Sequence, residues 1–116
     1  MRENRQQGRT RLLKLVRVKS EEDQRLFGFI GDISFGGMMI NTHREVKVGS
    51  HVSLSIELPQ DISQQPLGVR AEITWVDEGD SRDSRDCGCR FVAIKKADRD
   101  ALLEMARKYP MGEEEL

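Results

Sequence analysis

The sequence predicts an all-β fold: a six-stranded antiparallel β-barrel finished by one C-terminal helix. Three observations predict it. Six short segments with β-character follow one another, each separated from the next by turn residues. The clearest of them, His51 to Leu58, alternates Val52, Leu54, Ile56 and Leu58 with Ser53, Ser55 and Glu57, which gives one buried and one wet face. Near the C-terminus the apolar period changes from two to that of a helix. Closure into a barrel is expected because it removes exposed strand edges.

The elements follow in order. Thr10 to Lys19 mixes basic and apolar residues and reads as a first strand, and Glu21-Glu22-Asp23 as a hairpin loop. Gln24 to Ile33 is a second strand with Phe27, Phe29 and Ile33 at period two. Ser34 to Gly37 is a turn, with paired glycines that tolerate positive φ. Met38 to Asn41 is a third strand, with Met38 and Met39 read as strand packing, and residues 46–50 are a connection before His51. Pro59 to Pro66 is a polar loop. Leu67 to Val76 comes next, with Val69, Ala71, Ile73 and Trp75 on one face. Residues 77–85 are a charged loop without the oxygen-ligand spacing of a calcium hand. Asp86 to Ile94 is the last strand. Asp98 is expected to cap a helix running through Tyr109, with Leu102, Ala106 and Tyr109 on a stripe that covers a barrel opening.

Composition narrows the function. The 116 residues suit one domain. Aromatic residues make up 5%, so the core comes from Val, Ile, Leu, Met and a few Phe. No apolar run is long enough to span a bilayer, and no secretory h-region opens the chain, so membrane insertion is not expected and the cytoplasm is the expected location. The two cysteines, Cys87 and Cys89, fall on one face of a strand and read as small core-facing residues rather than a disulfide framework. His43 and His51 read as exposed polar residues, and no metal set is visible. Residues 1–19 hold seven Arg or Lys against one Glu, a local +6, so the rest of the chain carries −7 at an overall −1. A basic arm on an acidic body attracts a compact anion. It does not offer the broad basic face, nor the aromatic platforms, that a nucleic-acid polymer needs.

Two constellations carry the chemistry. Arg5 and Arg9 form an Arg-x-x-x-Arg pair in the arm, and Asp32, Ser34 and Gly37 form Asp-x-Ser-x-x-Gly about one hairpin later. The guanidinium forks suit phosphate oxygens, the O6/N7 edge of guanine, or stacking on a base. An ionised Asp32 is acceptor-only and suits guanine's N1–H and N2–H donors. Ser34 can donate to phosphate. Gly36 and Gly37 keep the turn open to a ligand. No nucleophile–base pair is apparent, so a binding module rather than an enzyme is expected.

In this order the two constellations resemble the signature motifs of PilZ domains. Ile73-Thr74-Trp75 is similar to that family's V-x-W strand, and Gly88-Cys89-Arg90-Phe91 to its G-x-x-F closing strand. The resemblance spans roughly residues 5–95. It implies the six-stranded barrel with a C-terminal helix, and a bacterial receptor for the second messenger cyclic di-GMP. The implied ligand residues are Arg5, Arg9, Asp32, Ser34, Gly36 and Gly37, with Arg2 and Trp75 as ligand-adjacent positions. No cofactor beyond that ligand, no metal and no catalytic residue is implied. Many members carry a further arginine directly before the first motif arginine; here Asn4 stands there and Arg2 lies two residues earlier. The expected organisation is a flexible basic arm at 1–9, the barrel domain with its helix at 10–110, and an acidic tail at 111–116. The expected mechanism is ordering of the arm by ligand, read by a protein effector in trans. A nucleotide-independent adaptor in pilus or flagellar assemblies is the alternative, although adaptors of that kind typically lack the arginine pair kept here.

Overall fold

The computed structural model describes residues 10–78 and 83–109. The expected arm at 1–9 and tail at 111–116 lie outside the described residues. Six strands form: β1 (Thr10–Ser20), β2 (Leu26–Ile33), β3 (Gly37–Thr42), β4 (His51–Ile56), β5 (Leu67–Asp77) and β6 (Arg85–Ala93). One helix, α1 (Lys96–Lys108), follows. All strand pairs are antiparallel, and the order β1-β2-β3-β6-β5-β4 closes because β1 also pairs with β4. The predicted six-stranded barrel with its terminal helix is the observed architecture.

β4 behaves as its alternation requires. Leu54 and Ile56 are fully buried, Leu58 just beyond is mostly so, and Ser53 and Ser55 face the other way. The inner surface is completed by Ile30, Ile33, Met38, Ile40, Ile73, Cys87 and Cys89, all buried. The two cysteines are free thiols on that inner face, as expected from their spacing. Burial and the hydrogen bond between them act together: Cys89 is pushed well above an ordinary thiol, first by its bond to Cys87 and then by burial.

Register shifts interrupt several of the ladders, and two of them bear on the site. In β2, Ile30 pairs with Ile40 and Asp32 with Met39, so Gly31 is an extra residue in the ladder. Such a bulge offsets the alternation by one. Ile30 and Ile33 are both inner residues, whereas Phe29, opposite Asn41, turns outward and is half-buried. Phe27, Phe29 and Ile33 therefore do not share one face. In β5, Ile73 pairs with Cys89 and Trp75 with Gly88, so Thr74 is the extra residue. Trp75 leaves the face of Val69, Ala71 and Ile73, and Val76, opposite the buried Cys87, takes the inner position.

The helix also departs from expectation at its start. Its N-cap is Lys95, with extended backbone (φ −70°, ψ 146°) and no side-chain cap. Asp98 lies inside the first turn, where its charge complements the helix dipole instead of capping it. Leu102, Met105 and Ala106 are buried and join the core, and the helix packs against β1 and β2. Tyr109 is the C-cap. Its hydroxyl donates to Asp61 Oδ2 at 2.7 Å, and Lys108 pairs with the same carboxylate. The Lys108 and Tyr109 hydrogen bonds hold the Asp61 carboxyl well below the carboxylate range, at about 2.

Candidate ligand-binding site on the barrel wall

The β2–β3 turn is built by short backbone bonds. Ser34 N–H donates to the Gly37 carbonyl at 2.9 Å, and the Ser34 hydroxyl reaches the same oxygen at a long 3.4 Å. The Phe91 N–H donates to the Gly36 carbonyl at 2.9 Å, which ties the turn to β6. Neither glycine uses left-handed backbone. Among the described residues positive φ occurs at Gln24 (62°) and Gly49 (93°). The glycines have other reasons. A Cβ on Gly37 would stand 2.0 Å from the Cys89 carbonyl of the neighbouring strand, so Gly37 is required by strand packing. A Cβ on Gly36 would meet nothing within 4 Å, so this side of the turn is open.

The two bulges set the faces. Met39 lies between Met38 and Ile40, both fully buried, and so points outward. Asp32 is opposite Met39 and shares its outer face. Gly88 lies between inner Cys87 and Cys89, and Trp75 is opposite it. The indole of Trp75 covers Gly88 so closely that a Cβ there would be 2.0 Å from its Nε1. Met39 and Gly88 are themselves partners. Asp32, Met39, Gly88 and Trp75 therefore form one transverse row across β2, β3, β6 and β5. Three strand spacings separate its ends, roughly 14 Å. On the other side of β2, the backbone of Arg11 in β1 is the ladder partner of Asp32. Asp32 is 8% exposed, so its carboxylate is largely withdrawn from water.

The structure thus places Asp32, Ser34, Gly36 and Gly37 together at one hairpin and Trp75 on the same outer wall. Arg2, Arg5 and Arg9 lie outside the described residues. Sequence reading missed Met39 and Gly88 as parts of the row, and missed both bulges. An isolated glycine within a strand pattern is the signal that pointed to the first; Thr74 carries none. Among the described residues no group of His, Cys, Asp or Glu is arranged to hold a metal ion, and no helix is long and apolar enough to cross a membrane.

The PilZ domain pattern matches residues 3–108. This chain belongs to the PilZ domain family. The match takes in both motifs and every strand of the barrel. No curated protein matches the sequence. Among solved structures, the PilZ chain is similar to the Bacillus subtilis inhibitor of motility MotI/DgrA, with TM-score 0.70 and 18% identity over 89% of this chain. It spans half the length of that protein, 50%. It is also similar to the PilZ domain of YcgR from Escherichia coli, solved with c-di-GMP, with TM-score 0.65 and 13% identity over 87% of each chain. A third is the K. pneumonia MrkH–c-di-GMP complex, with TM-score 0.57 and 18% identity over 86% of this chain and 53% of the other. At these identities the likeness is one of fold, and the barrel with its terminal helix is that fold.

Proposed function

We propose that this PilZ domain is a bacterial receptor that binds cyclic di-GMP on the outer wall beside the 32–37 turn. The observation that carries the reading is the delivery of Asp32, Ser34 and the open side of Gly36 to one hairpin, in a chain that places Arg5-x-x-x-Arg9 upstream. Two of its structural neighbours, the YcgR domain and MrkH, were solved with that nucleotide. Asp32 accepts from the guanine Watson–Crick edge. Ser34 exchanges its long bond to Gly37 for one to a phosphate oxygen. Arg5 and Arg9 close over the ligand with bidentate bonds to phosphate or base, which are stronger than neutral hydrogen bonds. Arg2 lies near enough in sequence to add charge, and Trp75 offers an aromatic plane at the far end of the row.

The relay follows from the split of these groups between a terminal arm and a turn. Ligand gathers the arm onto the barrel, and the ordered arm changes the surface that a protein effector in trans reads. The domain works by binding and not by catalysis. Titration calorimetry with cyclic di-GMP tests the reading. The intact chain is expected to bind at micromolar concentration. Arg9→Ala and Asp32→Ala are each expected to weaken binding by about 1–3 kcal/mol. Absence of heat from the intact chain removes the receptor reading. Unchanged affinity for a protein partner after both arginines are replaced favours an adaptor that works without nucleotide.

A further inference from the structure

Phe35 stands inside the Asp-x-Ser-x-x-Gly turn, yet neither the turn nor the core uses its side chain. It is 65% exposed, a large apolar surface immediately beside the candidate ligand groups. The Arg99 guanidinium of α1 stacks on its ring, 4.2 Å from the centroid. Arg99 also lines an open depression of about 520 Å³ together with Phe91, Val92, Ile94 and Lys95. Val92 is exposed for a structural reason. Arg70 pairs with Ala93 and Ala71 with Phe91, so Val92 is the extra residue of a third bulge, which turns its side chain to the surface. Val92 thus lines a groove at the junction of β6 and α1, Phe35 adjoins it through the stacked Arg99, and the Phe91–Gly36 backbone bond ties the groove to the turn.

Two cations line the groove on its helix side, and the Glu21 carboxylate stands at its other side beside Gly68. Lys96 pairs with Asp100 at 3.0 Å, and Arg90 with Glu72. Lys95 and Arg99 make no ion pair among the described residues, and the buried Arg99 Nε has no hydrogen-bond partner. Both cations sit at the uncapped start of α1, the positive end of its dipole. Exposed apolar side chains beside an Arg and an aromatic ring have the composition of an interface centre.

We propose that this groove docks an acidic protein segment carrying an apolar side chain. The apolar residue packs on Val92 and Ile94, its flanking carboxylates bond Arg99 and Lys95, and Phe35 extends the apolar surface beyond Arg99. A nucleic-acid polymer fits less well, because the groove is lined by the aliphatic Val92 and Ile94 and the exposed ring beside it, Phe35, is already covered by Arg99, which leaves a base no free stacking platform there. The surface stands independently of the nucleotide. Its linkage to the nucleotide, through Phe35 in the turn, rests on the function proposed above.

The test is an NMR titration of the full chain with a short synthetic peptide of glutamates flanking a pair of leucines. Saturable amide shifts are expected at Phe35, at Val92–Lys95 and at Arg99. Phe35→Ser, and separately Lys95→Glu combined with Arg99→Glu, are each expected to weaken the peptide at least about tenfold. Shifts that fail to saturate, that map elsewhere, or that survive in both variants overturn the surface, as does saturable binding of a single-stranded oligonucleotide at these same residues in preference to the peptide. Repeating the titration with cyclic di-GMP present reads the linkage, expected as a change in peptide affinity of about threefold or more. Nucleotide shifts at Ser34–Gly37 with peptide affinity unchanged overturn the linkage. A nucleotide that leaves those turn amides unmoved counts against the receptor reading, while the peptide arms still decide the surface.

Discussion

β4 and β2 are strands of one barrel, similar in length and both lined by aliphatic residues, but they do different work. β4 alternates without interruption, so its inner side chains build the core and its outer side carries serines and no candidate site residue. Against β3, β2 contains an extra residue, Gly31, and just past it stands the carboxylate of the motif. β5 repeats the device with Thr74 and Trp75, and β6 with Val92. Regular alternation builds the core in β4, whereas Gly31 and Thr74 each adjoin a candidate site residue on the outer wall, Asp32 and Trp75, and Val92 is itself exposed. The difference teaches where to look on such a barrel: at the residues that the ladder cannot pair one to one.

Substitutions separate the two kinds of strand. The largest effect is expected for Gly37→Ala, because its Cβ meets backbone rather than a flexible side chain. A loss of about 3 kcal/mol in denaturant unfolding is expected. Full stability in that variant means the turn and β6 are not packed as described. Asp32→Ala sits on the same hairpin and should behave in the opposite way. Cyclic di-GMP binding is expected to fall by about 1–3 kcal/mol while the urea midpoint stays close to the parent. Deleting Gly31 comes next. The bulge disappears, yet Ile30 and Ile33 keep the inner face and Asp32 the outer one, so stability is expected within about 1–2 kcal/mol of the parent, with weakened nucleotide binding. A collapsed barrel in that variant would show that β2 depends on its bulge for stability as well.

The smallest effect lies at the helix end, far from the turn. Asp61 has its carboxyl lowered from 3.8 to about 2 by Lys108 and Tyr109. A depressed carboxyl stabilises fully above 3.8 and loses that contribution as pH falls through about 2. The same contact raises Lys108 above 10.5 and Tyr109 above 10.0, so it also weakens in strong alkali. The Tyr109 ring resonances are therefore expected to be constant from mild acid to mild alkali and to shift only at the two extremes. A transition near neutral pH would mean that the clip is not this carboxylate.

Much of the fold was legible in the sequence because it rests on local patterns. The alternation in His51–Leu58, the glycines at 36–37 and the change of period before Leu102 each announce an element. What escaped reading depends on pairing across strands. A single extra residue reverses the facing of everything after it, and only the partner strand reveals where the extra residue lies. For that reason Trp75 does not share the face of Ile73, nor Phe29 that of Ile33, although both pairs are evenly spaced in sequence. The role of Gly37 was missed for a related reason: its constraint is the Cys89 carbonyl, some fifty residues away in sequence, and not its own φ. Asp98 was taken as a cap because its residue type favours caps, whereas the chain enters the helix earlier, at Lys95. The stacking of Arg99 on Phe35 joins two distant segments and leaves no trace in either.

The most direct test of the central claim is an NMR titration of the full chain with cyclic di-GMP, following the amides of Asp32, Ser34 and Gly36 and the indole N–H of Trp75. Saturable shifts of all four, moved together to higher nucleotide concentration in Asp32→Ala, are the predicted result. Saturable binding that leaves these four signals in place and moves another face of the barrel would contradict it.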